Sequence, residues 1–73
     1  MRNMTREIVK SIDKEWDIHD FRFVKGNTHT NLIFDVCVPI ECKYTPSQIR
    51  DIIQFKLHEV DEKLLVVITV DRG

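Results

Sequence analysis

Between Leu32 and Pro39 the chain alternates strictly, with Leu32, Phe34, Val36 and Val38 on one parity and Ile33, Asp35 and Cys37 on the other. Residues two apart on an extended chain share a face, so this segment reads as a β-strand. Pro39 cannot donate to a sheet ladder and marks its end. A lone strand is not stable in water, so the rest of the chain has to supply its partners and a layer to cover it.

Those elements can be read on either side. Upstream, His19, Phe21 and Phe23 alternate with Asp20 and Arg22, a second half-buried strand, and Lys25-Gly26-Asn27-Thr28-His29-Thr30 has the Gly and Asn of a hairpin connection. Before it, Met4, Ile8, Val9, Ile12 and Trp16 recur at helical spacing among charged residues, which predicts an amphipathic helix of about three turns. Downstream, Thr45-Pro46-Ser47-Gln48 is a capping box with proline at the first helical position. The helix it opens carries Ile49, Ile52, Ile53, Leu57 and Val60 on one face, flanked by Phe55, while Asp51 and His58 fall on the opposite side and the Lys56 stem runs within the apolar face. Leu64 to Val70 is apolar on both parities, as expected of a central or doubly covered strand.

The predicted order is α-β-β-α-β, an α+β fold of two layers: a three-stranded sheet with two helices on one face. The link from the second strand through the second helix is long enough for a right-handed crossover to the third. Residues 1–73 read as a single domain. A chain this short buries only about 60% of the surface its unfolded form exposes, so support from a partner chain or a ligand is expected.

Composition narrows the function classes. Eleven basic and twelve acidic residues are interspersed and leave a net charge of -1, which disfavours a nucleic-acid groove or an anionic-membrane surface. An extended segment would hold Cys37 and Cys42 roughly 16 Å apart, too far for a disulfide. Reduced thiols in a cytoplasmic setting are the expectation. No apolar run approaches the ~20 residues of a membrane span, and residues 1–10 are too polar for a signal peptide, so the isolated chain is expected to be soluble, without direct membrane insertion. The only glycines are Gly26 and Gly73, so there is no phosphate-binding loop. Cys37 sits inside an apolar strand, where nothing activates a thiolate. No enzyme activity is expected.

Metal binding is the remaining chemistry. His19 near the start of one strand and Asp71 at the end of another could bring an imidazole and a carboxylate together from distant sequence, with Cys37 and Asp51 as sulfur and oxygen donors. Such a set suits zinc or a similar divalent ion. The same residue types also occur on ordinary solvated faces, and spacing alone does not separate the two readings.

Ile18-His19-Asp20-Phe21-Arg22-Phe23-Val24, the segment His29-Thr30-Asn31-Leu32-Ile33-Phe34-Asp35-Val36, and the closing Val67-Ile68-Thr69-Val70-Asp71 together resemble the cytoplasmic C-terminal domain of bacterial cation diffusion facilitator proteins, the cation efflux family. The resemblance runs from about Thr5 to Asp71. It implies a ferredoxin-like, metallochaperone-like fold, a homodimer, and divalent cations, Zn²⁺ above all, bound at or near the dimer interface. It also implies a regulatory role toward a membrane transport domain in the same full-length protein, on the cytoplasmic side of the membrane, which this chain lacks. Carried over by position, His19 matches the first-strand histidine and Asp71 the terminal carboxylate. Cys37, Asp51 and Thr69 stand where the family usually has histidines, and Thr69 is a poor zinc ligand. His29 and Asp35 are possible substitutes. Two other functions are compatible with the chain: a metal-independent structural dimerisation domain, and a free-standing metallochaperone-like metal carrier, which would lack the usual paired-cysteine loop.

Overall fold

A computed structural model describes residues 1–73. The elements are α1 (Arg2–Ile12), β1 (Asp17–Lys25), β2 (Thr30–Val38), α2 (Pro46–Val60) and β3 (Leu64–Arg72), in the predicted order. The three strands form one sheet in the order β1-β2-β3, antiparallel between β1 and β2 and parallel between β2 and β3. A parallel neighbour needs a crossover, and α2 supplies it.

The alternation in β2 sets the layers. Leu32, Phe34, Val36 and Val38 are buried against Val9 of α1 and Ile49, Ile53 and Leu57 of α2, with Trp16, Ile18, Leu64 and Val66 completing the core. Both helices therefore cover one face, and Ile33, Asp35 and Cys37 stand on the other, which no element covers. The capping box forms as expected: Gln48 N–H donates to Thr45 Oγ1 at 3.2 Å, and Thr45 N–H to Gln48 Oε1 at 2.9 Å. The hairpin closes through a Gly26 N–H bond to His29 O at 2.8 Å; a Cβ at Gly26 would lie 2.8 Å from that same oxygen, so a side chain does not fit there.

Four expectations are corrected. Trp16 is not helical, because α1 ends at Ile12: Asp13 turns extended, its carboxylate accepts the Glu15 N–H at 2.9 Å, and the chain doubles back to bury the indole edge-on to Tyr44. On α2, Val60, expected on the apolar face, and Phe55, expected to flank it, are 55% and 66% exposed: the buried residues are Ile49, Ile53 and Leu57, Val60 is the last residue of the helix beyond them, and Phe55 falls on another side of it. In β1 the alternation is broken by a bulge between His19 and Arg22, with Asp20 at φ 54°. Aspartate tolerates this left-handed conformation better than most residues. The extra residue reverses parity, so Phe21 turns inward to stack on Phe34 with ring centroids 5.9 Å apart, while His19 stays on the open face.

The fourth correction concerns β3, which is an edge strand with one open face; Val67 is 53% exposed. Its apolar residues of both parities reflect the helices on one side and a bare sheet surface on the other. Thr30 N–H bonds Lys63 O at 2.9 Å and Gly73 N–H bonds Val38 O at 3.3 Å. With the unbroken register from Thr30 opposite Leu64 to Val38 opposite Arg72, odd-numbered residues of β3 turn their backbone groups toward β2 and even-numbered ones turn theirs outward. Gln54 of α2 leans over that outer edge, donating to Leu64 O at 2.8 Å and accepting from Val66 N–H at 3.0 Å. No helix is long and apolar enough to cross a membrane.

Candidate functional site

Register across the sheet assembles the open face row by row. Asp17, Cys37 and Asp71 are neighbours on β1, β2 and β3; His19, Asp35 and Thr69 form the adjoining row. Beyond them the face turns apolar, with Ile33 beside Arg22 and Val67, then Asn31 beside Val24 and Leu65. His19, Cys37 and Asp71 are thus brought to one end of one face, from segments about fifty residues apart in sequence.

Asp51 does not join them. It lies exposed on α2, on the helix side of the sheet, where Arg50 Nη1 approaches its Oδ1 at 3.1 Å. The sheet itself separates it from the other three. His29 sits in the hairpin at the far end of the face, its Nδ1 3.0 Å from Thr28 Oγ1, and His58 is exposed on α2. Asp35, in contrast, stands directly opposite His19 and between Cys37 and the apolar half of the face.

Asp17 belongs to the same row and was not a sequence candidate. Its signal was its parity with His19, obscured by its place at the very start of the strand. Asp17 Oδ1 accepts the Ile18 N–H at 2.8 Å and Arg6 Nε at 3.0 Å, and Lys10 Nζ lies 4.0 Å from Oδ2. The Ile18 N–H foremost, and then Arg6 and Lys10, hold its pKa below the ordinary 3.8, against the opposing effect of burial. A carboxylate whose folded pKa is depressed stabilises the fold above its unfolded value, so this contribution is present above about pH 4 and is lost as pH falls below it. Asp17 is therefore already engaged by α1.

The Cys37 thiol is pushed above its ordinary 9.0, first by burial and then by the carboxylates of Asp71, Asp17 and Asp35. Those three negative charges disfavour a thiolate. Replacing one of them should show it. In a Cys42→Ser chain, Asp71→Asn is expected to lower the Cys37 pKa and raise its alkylation rate by iodoacetamide near pH 9; an unchanged rate-pH profile would separate Asp71 from the thiol.

No three His, Cys, Asp or Glu side chains are grouped as a metal site would require. One chain therefore offers paired donors in adjoining rows, His19 with Asp35 and Cys37 with Asp71, and not a closed coordination shell. Comparison with protein-family models, with curated proteins and with solved structures finds no match to this chain.

Proposed function

We propose that this chain is a dimerising, divalent-cation-responsive regulatory domain of the kind that resembles the cytoplasmic domain of cation efflux transporters, with zinc-type ions as the regulator. The carrying observation is the uncovered sheet face, which places His19, Asp35, Cys37 and Asp71 in two adjoining rows at one end. The α-β-β-α-β order with a parallel β2-β3 pair supports the finer, metallochaperone-like reading of the fold.

Because one chain groups no three donors, the proposal needs donors from two chains. Carboxylates of two copies repel when the face is empty, and a cation between them relieves that repulsion. Only the difference in cation affinity between monomer and dimer can shift the equilibrium, with about 1.4 kcal/mol for each tenfold. Zn²⁺ added to a chelator-stripped sample is expected to tighten the dimer at least tenfold by sedimentation, and His19→Ala or Asp71→Ala to remove that response. An association constant indifferent to saturating zinc would refute it.

A second reading, a metal-independent structural dimeriser, is favoured by Thr69, which puts a weak ligand in the middle of the β3 segment of the site. It predicts a dimer that persists in chelator and through His19→Ala.

A further inference from the structure

The outer edge of β3 is only half covered. The ladder turns the backbone groups of Leu64, Val66, Ile68, Val70 and Arg72 away from β2, and Gln54 takes the Leu64 C=O and the Val66 N–H. Leu64 N–H is held by Asp61 O at 3.1 Å. Free along the edge are the Val66 C=O, both groups of Ile68 and Val70, and both groups of Arg72. An exposed strand edge of this kind is a template for another strand.

We propose that a second copy of this chain covers it, β3 against β3, antiparallel about a two-fold axis through Thr69, so that two sheets join into one of six strands. The free groups are self-complementary, as an isologous interface demands. Ile68 facing the partner's Val70, and the reverse, exchange four N–H···O=C bonds; Arg72 N–H to the partner's Val66 C=O, and the reverse, adds two.

Gln54 and Asp71 select this register among its neighbours. Centring the pair on Ile68 would call on the Val66 N–H and the Leu64 C=O, which Gln54 already holds, and leaves four bonds. Centring it on Val70 also gives six, but brings the two Asp71 carboxylates within about two residues, roughly 7 Å, of each other along the strands. In the Thr69 register Asp71 faces the partner's Val67, and the two carboxylates are about 13 Å apart. The α2 surface one turn from Gln54 carries Arg50 and Asp51, paired at 3.1 Å, so it brings no net charge to the junction. The pairing also covers the apolar surface of Val67, which the monomer leaves 53% exposed.

This interface rests on the metal-independent dimerisation given above as the second reading, since one cation cannot join carboxylates held about 13 Å apart, and it says where that dimer lies. Thr69 would face the partner's Thr69 as a non-hydrogen-bonded pair with Cα atoms about 4.5 Å apart, within disulfide range. The two Val67 residues would be about 13 Å apart, outside it. In a Cys37→Ser, Cys42→Ser background, with chelator present and oxidised glutathione as oxidant, Thr69→Cys is expected to form a disulfide-linked dimer at least tenfold faster than Val67→Cys. Both positions are exposed, so folding is not at stake. Thr69→Asp, which sets two carboxylates face to face, is expected to weaken association at least tenfold. Equal cross-linking of the two cysteine variants in a chain that sediments as a dimer would overturn the edge interface and leave dimerisation standing; a chain monomeric in chelator would overturn the edge interface, and one monomeric in zinc as well would overturn dimerisation altogether.

Discussion

Phe34→Ala is expected to unfold much of the protein at physiological temperature. Phe34 is 1% exposed at the centre of β2, packed among core residues from both helices and stacked on Phe21. Removing a buried phenylalanine costs about 3–5 kcal/mol in lost transfer energy and cavity. A chain of 73 residues has roughly 4–11 kcal/mol in total, at the usual stability per residue. The loss is thus a large fraction of the whole, and the melting temperature should fall by at least about 12 °C. Phe34→Leu keeps most of the volume and should lose much less. A melting temperature within a few degrees of the parent for Phe34→Ala would mean that the ring is not where the core is built.

Gln54→Ala is expected to destabilise the chain by about 1–3 kcal/mol, since it removes two hydrogen bonds to the β3 edge. Ordinary surface substitutions on a helix cost far less. The specific readout is amide exchange, because Val66 N–H loses its only acceptor and should exchange faster than Val67 N–H, which the parallel ladder directs to β2. Gln54→Glu keeps an acceptor for Val66 but no donor for Leu64 O, so it should fall between the parent and the alanine variant. Gln54→Ala also frees the start of the β3 edge, removing the obstruction that limits how a second strand can align there. Unchanged exchange at Val66 would show that the side chain does not cap the strand.

Both substitutions mark how far sequence reaches. Phe34 is legible as core from its parity with Leu32, Val36 and Val38, and the α2 start is legible from the capping box, because both signals depend on residues within a few positions of each other. Gln54 carries no such signal: a glutamine on a helix looks solvent-facing until the strand ten residues on is in place. The β1 bulge is hidden for a related reason. Alternation from His19 to Phe23 puts His19 with the phenylalanines, and only the pairing with β2 requires the extra residue at Asp20 that separates them.

Local chemistry along this sequence therefore determined the elements, their order and the buried side of β2, since periodicity, caps and turn residues act over one or two turns of chain. Tertiary structure alone decided that β3 lies at an edge and that His19, Asp35, Cys37 and Asp71 share one bare face while Asp51 lies beyond the sheet. Which strand neighbours which, and in what register, is set by closing long loops over a common core, and a one-residue shift there moves every side chain to the opposite face.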